Sequence, residues 1–157
     1  MAILESKMAA NPSIQSAQAG QPTVQYGTYD ALGVDTEDAA NSIRMVRLPA
    51  QHRFISVTLQ MPDLDSGATG TFDFGLEDTV QDPADTTDLT LFETATSMQA
   101  ASFTEYKTAA LLAIPAVNYD RYLTVNVDVV SATGLPDEIA VELQSRPDHS
   151  VMEGNFS

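Results

Sequence analysis

Residues 43–76 read IRMVRLPAQHRFISVTLQMPDLDSGATGTFDFGL. Three short runs in this stretch alternate apolar with polar residues, and turn-forming residues separate them. Ile55, Val57, Leu59 and Met61 fall on one side of a period of two, and Ser56, Thr58 and Gln60 on the other. Phe72, Phe74 and Leu76 repeat the pattern around Thr71, Asp73 and Gly75. That period belongs to a strand with one buried face. No helical apolar stripe fits between the runs. The stretch reads as consecutive antiparallel strands of a β-sandwich or barrel.

Outward from this core, the pattern continues. Strands are expected at 43–48, 54–61 and 71–77, with Pro49 and Pro62 ending the first two. His52 falls in the turn between the first pair. An acidic loop, DTVQDPADTTD, follows the third run, and 89–92 resumes as a short strand or loop edge. Residues 93–115 give no clear period. Within them TAALLAI, at 108–114, fits one or two helical turns or a buried strand. Leu123, Val125, Val127 and Val129 alternate with polar residues, as do Ile139, Val141 and Leu143. With the turn SATGLPDE between them, the two runs read as a hairpin.

Residues 1–41 differ in texture. They are rich in Ala, Gln, Ser, Thr and Gly, and their apolar residues keep no sustained period. A helical turn is expected over 3–10 and one strand over 24–29. The chain thus divides into an extended N-terminal arm (1–41), a β-sandwich domain (42–146) and a C-terminal tail (147–157). Ile14, Val24, Tyr26, Tyr29, Leu32 and Val34 give the arm apolar material to bury.

Composition narrows the function. The chain has 157 residues, no cysteine, and 22 acids against 7 bases, a formal net charge of −15. Disulfides, thiolate metal sites and thiol catalysis are excluded. From Asp63 to Glu105 no base occurs, so phosphate is repelled and neither nucleic acid nor an anionic membrane is an expected partner. No run of 18 apolar residues is present to span a bilayer, and the N-terminus lacks the pattern of a secretory signal.

Catalytic constellations are thin. The two histidines, His52 and His149, lie in an expected turn and in the tail, away from any Ser–Asp context. Asp63-Leu64-Asp65-Ser66-Gly67 starts like an oxygen-ligand loop but lacks the later ligands of a calcium site, so it reads as a turn. Glu77, Asp78 and Asp82 offer further oxygens without a pattern. No P-loop or dinucleotide fingerprint occurs. No catalytic residue, metal or cofactor is expected, and the chain does not read as an enzyme.

On IRMVRLP, FISVTLQMPDLDSGATG, FDFGLED and the pair YLTVNVDVV and EIAVELQ, residues 41–146 resemble the β-structured head decoration, or capsid cement, proteins of tailed bacteriophages. The resemblance implies a jelly-roll-like sandwich. It implies a homotrimer on the capsid surface, made in the host cytoplasm and bridging subunits of the major capsid protein. On that reading the arm carries the contacts, with Val24, Tyr26 and Tyr29 as anchors, since an arm can add a strand to an exposed sheet edge. The alternative is another virion β-module: a head fibre base, or a tail-associated, host-attachment or glycan-binding domain.

Overall fold

The computed structural model describes residues 3–6, 22–36, 41–67, 69–79, 87–131 and 133–148. Nine strands run along them: β1 (Ile3–Glu5), β2 (Thr23–Ala31), β3 (Ser42–Leu48), β4 (His52–Met61), β5 (Thr71–Asp78), β6 (Asp88–Ser97), β7 (Ser102–Tyr106), β8 (Arg121–Val129) and β9 (Asp137–Pro147). Two short helices join them, α1 (Gly33–Thr36) after β2 and α2 (Ala109–Ala113) after β7. Neither could cross a membrane. The strands form a five-stranded sheet, β1-β3-β8-β5-β6, and a four-stranded sheet, β2-β9-β4-β7. The fold is an all-β sandwich.

The facing rows come out largely as the period of two requires. Phe72, Phe74 and Leu76 are buried against Val57, Leu59 and Met61 of the other sheet, with Leu123, Val125, Val127, Ile139, Val141 and Leu143 in the same core. Each of the larger side chains contributes roughly 1.5–3 kcal/mol relative to exposure. One row is offset. Phe54, not Ile55, begins the inner row of β4, because a bulge between Phe54 and Ser56 inserts one residue and turns Ile55 outward. Gly75 sits where β6 passes closest to β5: a Cβ there would stand 2.2 Å from the Asp88 carbonyl oxygen.

Pairing departs from expectation more than facing does. β8 and β9 do not form a hairpin. β8 lies between β3 and β5 in one sheet, and β9 between β2 and β4 in the other. Alternation reveals which side of a strand is buried and is silent about its neighbour, so two adjacent alternating runs mimic a hairpin. The connection crosses the end of the sandwich instead. Ser131 N–H donates to Thr36 O and Leu135 N–H to Leu64 O, both at 2.9 Å, tying it to both ends of its path. The runs at 43–48, 54–61 and 71–77 likewise alternate between sheets rather than pair with one another. Only β5 and β6 pair with an immediate neighbour in sequence.

Segments without a clear period resolve as follows. The short strand expected at 89–92 is the start of the ten-residue β6. TAALLAI adopts the helical option as α2, whose Leu111 is buried. Thr108 caps it, its Oγ1 accepting from the Leu111 N–H at 3.2 Å. Thr108→Ala is expected to cost about 1 kcal/mol, read as a fall of a few degrees in melting temperature, with Thr108→Ser recovering most of it. Ile3–Glu5 is a strand, not a helical turn. It lies parallel on β3, the remaining strand pairs being antiparallel.

Candidate interaction surface

The two outer faces of the sandwich differ in chemistry, and the difference begins with the arginines. On the five-stranded sheet, Arg44 grips Glu77 with two hydrogen bonds, Nε to Oε2 and Nη2 to Oε1, each 2.9 Å. Glu5 of β1 adds a longer contact at 3.4 Å, and the Tyr122 ring lies 4.9 Å beneath the guanidinium. Glu77 holds the Arg44 guanidinium above its ordinary pKa. Arg47 pairs with Asp120. Charge on this face is largely spent within the molecule. Glu77 and Asp78, oxygens without a ligand pattern in the sequence, are half-buried. Asp78 accepts a hydrogen bond from the Tyr119 hydroxyl at 3.0 Å.

Arg121 goes further. The parity of Leu123, Val125 and Val127 puts it on the inner side of β8, and it is buried there 5.9 Å above the Phe54 ring. Its Nη2 donates to Pro115 O, and burial lowers its pKa while Asp78 opposes that shift. Sequence reading missed it, although the same alternation that located the valines marks its place.

The outer face of the four-stranded sheet is the opposite case. Its rows run Val24–Gln144–Ser56, Tyr26–Glu142–Thr58–Glu105 and Thr28–Ala140–Gln60–Phe103. The centre is small and polar. The margins are apolar and uncovered: Val24 is 57% exposed, Tyr26 58% and Phe103 74%. Glu142 lies in register beside Tyr26, and hydrogen bonding to that carboxylate raises the phenol pKa. Apolar side chains this exposed, on a flat and otherwise polar face, are what a contact surface for another protein needs.

The anchor residues expected from the sequence do not all share this face. Val24 and Tyr26 do. Tyr29 lies on the other side of β2, half-buried, with its hydroxyl donating to Asp35 Oδ2 at 2.9 Å. Burial first, and Asp35 second, push its pKa up to about 12. All three lie in β2, whose nine residues pair with β9 in unbroken register. Leu32, counted as arm material to bury, is exposed, and Ile14 lies outside the described residues. Gly27 lets β2 close over β3, since a Cβ there would meet the Met45 carbonyl oxygen at 2.2 Å.

Candidate chemical groups serve structure. His52 is the first residue of β4 rather than part of an exposed turn. Its Nδ1 lies 3.1 Å from Ser145 Oγ, and burial lowers its pKa. His149 and Asp82 lie outside the described residues. Asp63 and Asp65 make the turn: Asp63 Oδ1 accepts from the Asp65 N–H. Asp65 is fully buried and accepts backbone N–H bonds from Gly67, Thr69 and Gly70 at 2.9, 2.9 and 2.6 Å. These donors, Gly70 foremost, hold its carboxyl below the ordinary aspartate range. Among the described residues no cluster of three or more histidines or carboxylates is placed to hold a metal ion.

A second apolar feature lies at the edge where β6 and β7 meet. Leu91, Phe92, Tyr106, Thr108, Ala110, Leu111 and Ile114 line a crevice of about 160 Å³. The Phe92 and Tyr106 rings close its floor, 5.2 Å apart, and Tyr106 donates to Glu93. Burial raises the Tyr106 pKa above the ordinary phenol value, and Glu93 adds to the shift. Its lining comes from two separated segments, 91–92 and 106–114, so no local sequence signal announces it.

No family model matches the chain, and no curated protein sequence matches it. Solved structures do. One chain of the capsid of Ralstonia phage GP4 is similar with a TM-score of 0.74 and 23% identity, over 93% of this chain and 98% of that one. One chain of the cyanophage Pam1 capsid asymmetric unit is similar with a TM-score of 0.62 and 22% identity, over 87% and 94%. At these identities the likeness shows a shared fold.

Proposed function

We propose that this chain is a structural protein of a phage head, bound to the outer surface of the capsid, where it cements neighbouring major capsid protein subunits. The observation that carries the reading is the nearly end-to-end likeness to a chain of a phage capsid. Strand winding supports the jelly-roll type: β2-β9-β4-β7 faces β3-β8-β5-β6, each sheet taking alternate parts of the chain. The uncovered face with Val24, Tyr26 and Phe103 offers the contact, whereas the opposite face has its arginines engaged internally. Tyr29, folded back onto Asp35, supports the position of β2 rather than touching the capsid. The partners are the major capsid protein and further copies of this chain, as a homotrimer. The product is made in the host cytoplasm and ends on the virion, with no enzymatic step.

Purified protein added to expanded capsids that lack it is expected to bind at saturating, fixed stoichiometry and to raise the temperature at which the heads rupture. Val24→Asp with Tyr26→Ala is expected to weaken binding by tenfold or more, since truncating an anchor commonly removes about 2 kcal/mol. The melting temperature should hardly move, because both side chains face solvent. Unchanged binding by that variant would remove this face from the contact. Failure of the unaltered protein to bind capsids would remove the reading. Hundreds of copies per particle fit a cement protein, and a few copies fit a fibre or tail component.

A further inference from the structure

The two edges of the sandwich carry matching features. At the β1/β2 edge, Leu32 projects from the turn after β2 with 59% of its surface exposed. It is not a loose side chain. Its N–H donates to Asp35 Oδ2 at 2.8 Å and its carbonyl accepts from the Asp35 N–H at 2.9 Å. Tyr29 braces the same carboxylate oxygen at 2.9 Å. A fully hydrogen-bonded turn therefore holds a leucine out in water, where an apolar side chain gains nothing by folding.

At the opposite edge, β6, β7 and α2 enclose the apolar crevice of about 160 Å³. A cavity of about 150 Å³ accommodates a molecule the size of benzene, so the crevice suits one branched aliphatic side chain. Leu112, next in sequence to the crevice residue Leu111, is 48% exposed. Charge matches as well. Lys107, exposed, stands between the crevice residues Tyr106 and Thr108. Asp30 lies two residues before Leu32 and pairs in register with Glu138 of β9, while Asp137 pairs with Ala31; all three acids are exposed. In a chain with 22 acids and 7 bases, a lysine at the crevice opposite a leucine ringed by carboxylates is a specific complement.

We propose that copies of this chain associate head to tail, Leu32 of one copy seated in the β6/β7/α2 crevice of the next, with Lys107 against the acidic rim around the leucine. The contact joins two different surfaces and so repeats around a ring. It deepens the virion reading and rests on it, naming the self-contact that a cement protein on a lattice would use.

Because the chain has no cysteine, two single variants, Leu32→Cys and Ala110→Cys, test the contact directly. Mixed in equal amounts and oxidised, they are expected to form disulfide-linked dimers at least about tenfold faster than either alone. The doubly substituted chain should give covalent multimers that end at the ring size. No enrichment on mixing, or only intramolecular products, overturns the proposal. In light scattering, Leu32→Asp should reduce the native oligomer to monomers that keep the circular dichroism spectrum of the folded sandwich. A native oligomer that survives Leu32→Asp, or an unaltered protein that is monomeric at micromolar concentration, overturns it too. Capsid binding by a monomeric protein would sink this contact and leave the cement reading intact. Ring formation without capsid binding would do the reverse.

Discussion

Asp65→Ala is expected to lower the stability of the domain by about 3–5 kcal/mol, because it strands several backbone donors at once. The wild-type carboxylate is buried and takes the N–H groups of Gly67, Thr69 and Gly70. Alanine removes the charged acceptor of all three and leaves the buried Gly70 N–H without it. Asp65 also bridges to Gly134, and Leu64 accepts from the Leu135 N–H, so the turn fastens the crossing between β8 and β9. Against a total of roughly 5–15 kcal/mol for a domain, the loss is large. It corresponds to a melting temperature lower by about 10–15 °C for a chain of this size. A fall of less than a few degrees would show that the turn holds nothing. Asp65→Asn keeps one acceptor oxygen but turns an NH₂ toward the donors, so it should recover less than half.

The same residue sets part of the acid response. Its folded carboxyl lies below the reference value of 3.8. Its contribution is therefore complete at pH values above the unfolded carboxyl's titration and is lost as pH falls through the depressed folded value. The wild type should lose stability on that acid limb, and Asp65→Ala should show a shallower one. Urea titrations at stepped pH read the difference.

Phe74→Ala is expected to cost about 3–5 kcal/mol. Phe74 is fully buried at the centre of the aromatic group beside the crevice, 5.1 Å from the Phe92 ring and 5.9 Å from that of Tyr106. Its removal leaves a void beside the Phe92 and Tyr106 rings. Thr71→Ala, on the outer face of the same strand, removes one exposed hydrogen bond to Asp128 and should stay within about 1 kcal/mol. Equal shifts in denaturation midpoint would contradict the assignment of inner and outer faces.

These cases mark what the chain discloses before it folds. Facing was legible in most runs where apolar and polar residues alternate: Phe72, Phe74, Val125 and Val141 lie inside as that pattern requires, whereas Val129 is exposed and β2 turns Val24 and Tyr26 outward. Two other departures have local causes. The bulge at Ile55 shifts one row by a residue. β7, SFTEY, directs its phenylalanine outward and its tyrosine inward, so its apolar pattern misreports its inner face. Pairing was not legible, because it depends on residues far away in sequence. The candidate surface was half legible in its geometry. Val24 and Tyr26, named together from the sequence, share one exposed face, but their membership in a regular edge strand, and the departure of Tyr29 from their face, follow from hydrogen bonds to β9 and Asp35. Phe103 and the crevice carry no local signature.

The winding of the strands also governs when the protein can form. β8 and β9 occupy interior positions in their respective sheets, and they come last in sequence among the described strands. A nascent polypeptide that has emerged only as far as α2 possesses neither sheet's centre, so β3 and β5 have no strand between them, nor do β2 and β4. Folding must wait until β9 has been made and then close long loops, the regime of milliseconds to seconds rather than microseconds. Until that moment the apolar rows stay exposed on the ribosome. Loss of even the final strand by a premature stop should yield an aggregating fragment, not a smaller domain.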